Sequence, residues 1–577
     1  MQEDWRGAHQ RDVAGIRDGN AVAPRGGPAA DVKVRGWRCN PLDYGLSRIL
    51  RLPAATNQYT VHRVAVPMRD GVELLADHYA PTGDAVGTLL VRCPYGRGFP
   101  FSLVFARAYA ARGYHVILQS VRGTFGSGGV FEPVVNEVAD GADTVAWLRR
   151  QPWFTGTFGT IGLSYLGFTQ WALLADPPPE LAAAVITVGP HDFSASSWGT
   201  GSFALNDYLG WSDMMAHQED RPRLRAGIRQ LAAQRRVKHA AVELPLGAAG
   251  RALLGDGARW YESWIEHPDP DDPFWEPYRL GTALERVDVP VLLLSGWQDL
   301  FLEQTLAQYA RLRDRGVEVA LTIGPWTHTE MLTKGLGTIT RESLRWLDTH
   351  LGGAAGRPRP PVRVCVSGRG WRELPDWPPA TAARTWYLHP RGALRDVAPD
   401  PSAAAASFRY DPADPTPTIG GRLLSPEGGY RDDTRLLGRP DVLCFTGDPL
   451  AEDLDVCGTP VLELAHSSDT PHVDVFVRIS RVDACGRSVN ISDGYRRLDH
   501  HSGILRIDLD AAAARFVAGS RIRVLIAGGS HPRYARNLGT GEPPSCGHRM
   551  RPATHTVQFD TSRLILPVSA GDGLAHL

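Results

Sequence analysis

The chain has 577 residues, 43% hydrophobic and 22% charged, which is room for about three folded units and excludes wholesale disorder or a membrane-embedded body. Lys+Arg number 62 against Asp+Glu 63, and a net charge of -1 leaves no global field for nucleic acid or an anionic membrane. The cysteines at 39, 93, 365, 444, 457, 485 and 546 are odd in number and form no CxxC or Cys/His ligand spacing, which argues against a disulfide framework or a zinc site.

Residues 1–30 lack sustained periodicity and read as a loosely attached, partly disordered extension that we carry to residue 54. Acidic groups stand where a signal peptide needs positive charge, and no apolar run of about 18 residues follows, so the expected location is the cytoplasm. Tyr59–Pro67 and Val72–Tyr79 are predicted strands joined at Asp70-Gly71. Gly87–Cys93 and Tyr114–Gln119 are continuous apolar runs typical of buried parallel strands, with a helix predicted at Phe101–Arg112 between them. The alternation continues with a helix at Glu137–Gln151, a strand at Thr157–Leu163, a helix at Tyr165–Ala175 and a strand at Ala182–Val188.

From Ser194 to Arg286 the alternation stops, and helical segments such as Arg223–Gln234 and Trp260–Ile265 predict an inserted helical cap. Strands resume at Val287–Leu294 and Val317–Ile323, with helices at Glu303–Arg313 and Arg341–Leu351. Beyond the Pro-rich stretch 357–361, short alternating runs such as Val362–Val366, Val473–Ile479 and Ile522–Ile526 predict a β-sandwich or jelly roll. The expected domains are residues 55–193 and 287–355 for an α/β core, 194–286 for the cap and 356–577 for the jelly roll.

Chemistry concentrates at Gly162-Leu163-Ser164-Tyr165-Leu166-Gly167, between a predicted strand and a predicted helix. Such a turn lifts a serine hydroxyl above the C-terminal edge of a parallel sheet, and the helix N-terminus behind it offers amide donors to an oxyanion. The common G-x-S-x-G pattern is altered, because the second glycine falls one residue late. Asp299 and His328 follow the next two strands, which gives the chain order Ser, Asp, His of an α/β-hydrolase. Each alone reads equally well as a turn cap or a core histidine; their coincidence is what points to a triad. Tyr95, in Pro94-Tyr95-Gly96 after the strand Gly87–Cys93, is either a packed aromatic or a hydroxyl donor to an oxyanion. The amide of Tyr165 would be the other donor.

These stretches resemble the family of cocaine esterase-like hydrolases, which includes X-prolyl dipeptidyl aminopeptidases and α-amino acid ester hydrolases. Val66–Val72, Pro94-Tyr95, Gly162–Gly167, Gly296-Trp297 with Asp299, and Gly324-Pro325-Trp326 with His328 carry the likeness, as do Tyr410-Asp411-Pro412 and Arg536-Asn537. The late glycine of the serine turn is this family's own form. The resemblance implies an α/β-hydrolase core with an inserted helical cap and a C-terminal jelly roll, with the active site where all three meet. It further implies that Tyr95 donates its hydroxyl to the oxyanion, and that Trp211, Phe301 and Leu424 wall an acyl pocket.

Four positions depart from the family. Phe301 and Leu302 stand where the α-amino acid ester hydrolases carry acids, which disfavours a cationic α-amino substrate, with Asp213 and Glu303 left as carboxylates able to restore charge. Ser120 replaces a usual aspartate, and Ser425 an aromatic. Gly123–Gly129 does not spell a dinucleotide-binding loop, and the arginines of 221–236 read as one solvated helix face.

The expectation is a cofactor-independent serine esterase acting on a small-molecule ester or amide, as a monomer or homodimer without nucleic-acid or membrane partners. X-Pro dipeptidyl aminopeptidase and biosynthetic acyltransferase are the alternatives on the same triad, and a non-catalytic binding protein is the alternative outside it.

Overall fold

A computed structural model describes residues 41–220, 223–353, 359–501 and 503–569. The segment 1–40, most of the predicted extension, lies outside the described residues. Its continuation does not hang free: Pro41–Ile49 is a helix whose Asp43 accepts a hydrogen bond from Tyr59 Oη at 2.8 Å and pairs with Arg107 at 2.9 Å.

Among the described residues, ten strands form the first sheet, in the order β1-β2-β4-β3-β5-β6-β7-β8-β9-β10. They are β1 Tyr59–Pro67, β2 Glu73–Pro81, β3 Gly87–Cys93, β4 Tyr114–Ser120, β5 Phe158–Leu163, β6 Leu181–Thr187, β7 Val291–Gln298, β8 Val319–Thr327, β9 Val362–Val366 and β10 Gly370–Leu374. From β4 through β3 to β9 every pairing is parallel, while β1, β2 and β10 pair antiparallel at the edges. Every residue of β3, β4 and β5 is buried, as a strand covered by helices on both faces requires. This is the α/β-hydrolase sheet, and its serine, aspartate and histidine follow β5, β7 and β8.

Two sequence expectations change here. The segment predicted as an α-helix over Phe101–Arg112 winds as a π-helix from Ser102 to Arg107 before a short α-turn, Ala108–Ala110. Its rings run on from Tyr95, with Phe101 stacked on Tyr95 at 5.3 Å and Phe105 on Phe101 at 6.3 Å. The boundary at 355/356 also moves. Val362–Val366 pairs in parallel with β8, and Gly370–Leu374 folds back on it, so both strands belong to the first sheet. A five-residue alternating run carries no record of which sheet it will join, and here the open edge of β8 captures it.

The inserted cap leaves and returns side by side, Leu280 N donating to His191 O at 2.7 Å. Its principal helices are Leu205–His217, Arg223–Val242, Leu246–Leu254 and Trp260–Glu266. They assemble around Trp264, a fully buried ring that meets Tyr208 edge-on at 5.4 Å and Trp211 face-on at 6.0 Å. Twelve further strands, counted among the described residues, build the C-terminal β-rich domain. The longest, Ala553–Ser569, pairs with Thr381–His389, Ala406–Tyr410 and Val461–Ser468 over a core that includes Trp386, Phe445, Val475, Ile526 and Phe559. This domain grips the cap directly: Asn206 N donates to Pro532 O at 3.0 Å and Ala535 N to Phe203 O at 2.8 Å.

No helix among the described residues is long and apolar enough to cross a membrane. Truncating the central cap ring, Trp264→Ala, should cost about 3–5 kcal/mol of stability. Calorimetry should then show a lowered Tm, and an unchanged Tm would show that the cap does not depend on this ring.

Candidate active site

β5 ends at Leu163, and the chain turns through Ser164 directly into the helix Tyr165–Leu174. Ser164 holds φ 62° and ψ -121°, a conformation that side chains rarely adopt and that the surroundings must impose. Ser164 N donates to Thr187 O at 2.9 Å, and its carbonyl accepts from Gly167 N at 2.7 Å and Phe168 N at 3.1 Å. Two glycines explain the altered spacing. A Cβ on Gly162 would lie 2.5 Å from the Cβ of Leu166, and one on Gly167 would lie 2.5 Å from the Cα of Gly189. Leu166 therefore occupies room vacated by Gly162, and the second glycine is needed one position later, where the helix backbone meets the loop after β6.

β7 and β8 both run past their predicted ends, so that Asp299 and His328 are the first residues beyond the strands. His328 Nδ1 lies 2.6 Å from Asp299 Oδ2, and Asp299 Oδ1 accepts from Phe301 N at 2.7 Å. Asp299 has no exposed surface. A carboxylate only accepts, so Nδ1 carries the hydrogen and Nε2 is left as the basic nitrogen. The Phe301 ring meets the imidazole edge-on with centroids 5.5 Å apart, which helps fix its plane.

On the opposite side, Tyr95 follows β3 and its hydroxyl accepts a hydrogen bond from Trp211 Nε1 at 3.1 Å. Burial pushes the phenol far above its usual value, and hydrogen bonding with Trp211 and Ser164 acts the other way, so Tyr95 stays neutral. With an acceptor lone pair taken by the indole, its own hydrogen is free for donation. Trp211 in turn stacks on Tyr165 at 6.1 Å and 11°. The Tyr165 hydroxyl donates to Glu137 Oε1 at 2.7 Å and accepts from Val134 N at 2.9 Å, while Glu137 pairs with Arg92 at 2.7 Å. A chain of buried polar contacts thus runs from Arg92 through the first helical residue of the serine turn, whose ring then packs against the indole that holds Tyr95.

These side chains line a pocket with about 410 Å³ of empty space, part of it open to solvent. Ser164, His328, Tyr95 and Tyr165 line it, and so do Trp211 from the cap, Phe301 from the core and Leu424 from the β-rich domain. Asp299 lies behind His328. Pro190, Phe193, Tyr208 and Leu300 complete a mainly apolar wall. Trp297 and Trp326, adjacent in sequence to the acid and the histidine, turn away: Trp297 donates to Cys365 O at 2.7 Å and Trp326 packs on Trp371 at 5.8 Å. Neither carboxylate considered from sequence lines the cavity. Asp213 pairs with Arg236 at 2.7 Å, and Glu303 accepts from Ala511 N at 3.2 Å.

The carboxylate that does line it is Asp207, which sequence reasoning passed over. The available signal was its position four residues before Trp211, which places both on one face of a helix. Ser120 receives a hydrogen bond from Arg97, whose carboxylate partner is Asp77 on β2 at 3.4 Å. Among the described residues, the one grouping with metal-ligand spacing is His472, Asp499 and His500 in the β-rich domain, none of which lines the cavity.

Residues 70–330 match the family model of the X-Pro dipeptidyl-peptidase (S15 family), and 355–564 match that of the X-Pro dipeptidyl-peptidase C-terminal non-catalytic domain. The chain is 32% identical to the cocaine esterase of Rhodococcus sp. (strain MB1 Bresler), over 84% of this chain and 93% of that protein. The chain belongs to the cocaine esterase family of serine hydrolases. Solved structures of lower identity share the fold of this family. An aminopeptidase from the marine sediment archaeon Thaumarchaeota archaeon has a TM-score of 0.75 at 24% identity, over 89% of this chain and 96% of that one. An α-amino acid ester hydrolase has a TM-score of 0.74 at 22% identity, over 90% of this chain and 98% of that one.

The tight approach behind the serine generates a prediction. Gly167→Ala forces a methyl into the Gly189 backbone, so kcat toward p-nitrophenyl acetate and the Tm should both fall. Wild-type values of both would show that the loop after β6 can yield.

Proposed function

We propose that the protein hydrolyses carboxylic esters through an acyl-enzyme on Ser164. His328 Nε2 takes the serine proton as Oγ attacks the carbonyl carbon, and Asp299 holds the ring in the required tautomer and stabilises the imidazolium. The negative charge that develops on the substrate oxygen is met by the Tyr95 hydroxyl and the Tyr165 N–H. His328 then returns the proton to the leaving alcohol. Water attacks the acyl-enzyme with the same base, releasing the acid and restoring Ser164.

The observation that carries this reading is the 2.6 Å bond between His328 and a fully buried Asp299, made beside a cavity that Ser164 and Tyr95 also line. The acyl group occupies the wall formed by Trp211, Phe301 and Leu424. That wall is apolar next to the acid, where Leu300 and Phe301 offer no charge to an α-ammonium group. This favours an ester over an X-Pro peptide as substrate.

Ser164→Ala should abolish turnover of p-nitrophenyl acetate and remove the acyl adduct that mass spectrometry finds on the Ser164 peptide of the wild type; retained turnover would refute the nucleophile. Tyr95→Phe should lower kcat by about 10²–10³-fold, the effect of losing one oxyanion donor. An unchanged kcat would assign that role to another group. A panel that adds X-Pro amides and α-amino esters separates esterase from peptidase by comparing kcat/KM.

A further inference from the structure

A second recess lies beside the catalytic pocket and shares none of its lining residues. It has about 1230 Å³ of empty space, part of it open to solvent, and no step of the hydrolysis uses it. The loop after β4 forms one wall. The cap forms the others, through the end of the helix Leu205–His217 with Gln218 and Glu219, and through segments within residues 256–278.

Two observations give this recess a chemistry. The first is its rings: Phe131, Trp260, Phe274 and Tyr278 all line it. Phe131 meets Trp260 at 88° with centroids 5.4 Å apart, so the two planes make a right-angled corner, and Phe274 stacks on Tyr278 at 5.3 Å. The Trp260 indole N–H is engaged elsewhere, donating to Ser212 Oγ at 3.2 Å, which leaves the ring itself to serve as wall.

The second is charge. Glu132, Glu219, Asp256 and Arg259 face the recess, and Arg259 is taken by Asp256 at 2.9 Å. Glu219 accepts from Phe125 N at 2.9 Å, which ties it to the opposite loop, and neither it nor Glu132 pairs with a cation among the described residues. Burial pushes the Tyr278 phenol up to about 12, and the Glu132 charge adds to that push, which sets a carboxylate near one of the rings. Two negative charges thus remain in a recess walled by aromatic side chains.

One class of ligand answers both features. An anion is repelled, and a neutral apolar molecule would cover carboxylates and return nothing to them. A compact ammonium is strongly hydrated and gains little from exposed carboxylates. A cation whose charge is spread beneath apolar substituents leaves water more cheaply, and it is drawn both to the carboxylates and to the negative faces of the rings.

We propose that this recess is a binding site for an organic cation, a substituted ammonium with apolar or aromatic groups on nitrogen, separate from the catalytic pocket. Phe131 also packs on Tyr165 at 6.1 Å and on Trp211 at 6.5 Å, and Trp260 packs on Trp211 at 6.2 Å, so a layer of rings divides the two cavities. The site stands whether or not Ser164 is the nucleophile, because none of its residues touches the reacting groups.

The test is calorimetric titration at low salt with (3-hydroxyphenyl)trimethylammonium and with 3-tert-butylphenol. The two have the same shape and differ in having nitrogen or carbon at the branch, and so in charge. Wild type should bind the cation about 3- to 30-fold more tightly, the range of a cation held by aromatic faces. Joint Glu132→Gln and Glu219→Gln substitution should cut that ratio by half or more, and the glutamine keeps the acceptor that Phe125 N uses. Trp260→Ala should lower the ratio as well, by removing a ring face. A ratio of dissociation constants measured on one preparation is not altered by an unfolded fraction.

Phe301→Ala, in the wall of the catalytic pocket, should leave the preference where it is. A wild-type ratio near one would overturn the proposal, and so would a preference that survives the joint substitution. A preference lost in Phe301→Ala and kept in the joint variant would overturn it too, by placing the cation in the catalytic pocket.

Discussion

A serine at φ 62° and ψ -121° does not hold itself there. Such a backbone conformation costs about 1–3 kcal/mol, and it persists only where the surroundings over-determine it. Here the determinants are a central strand paired in parallel on both sides, a helix that starts immediately, and glycines that let backbone meet backbone. The Ser164 amide is tied to Thr187 on β6, and the Gly167 backbone rests on Gly189 just beyond it. One strand crossing thus fixes both the direction of the hydroxyl and the depth of the helix behind it.

The remaining parts reach this point from three directions, and their side chains interlock. Tyr95 comes from the core, yet the donor that its hydroxyl accepts from is the cap's Trp211. The cap's Asp207 is held by the amide of Leu424 from the β-rich domain. That amide belongs to a loop that is itself anchored by buried ions. Arg422 pairs with Asp510 and with Glu303 at 3.2 Å, while Arg478 and Arg533 both reach Asp493. Buried ion pairs are weak sources of net stability but demanding about geometry. In this setting they fix where a loop from one domain meets a helix from another. The cavity has the shape it has because none of its three walls can move without breaking contacts in the other two.

How much of this was legible in the sequence depended on whether the signal was local. The serine turn was, because strand, glycine, serine and helix follow one another within ten residues. Asp299 and His328 were, because each ends an apolar run. The cap announced itself by the loss of alternation. What could not be read was allegiance and orientation. Val362–Val366 has the same pattern whether it pairs with β8 or with a sandwich. The helix Leu336–His350 starts earlier than its propensity indicates, since Gly337 and the threonines at 338 and 340 are drawn into it by the packing of Leu336 and Ile339. Asp207, on a helix with several polar residues, looks solvent-facing until the β-rich domain closes over it, and the rings of Trp297 and Trp326, next to the triad in sequence, turn away from the cavity.

The β9–β10 hairpin is the joint between the hydrolase sheet and the β-rich domain, and it is a splice, not a hinge. Its strands extend the first sheet, while Ser367 at its turn donates to Ala513 O and accepts from Arg515 N of the second. Dividing the chain at 355 would therefore leave β8 as a naked edge, with its unpaired ladder open to any passing strand and to aggregation. The first sheet thus runs on to Leu374, past the Pro-rich stretch 357–361 that reads as a linker in the sequence.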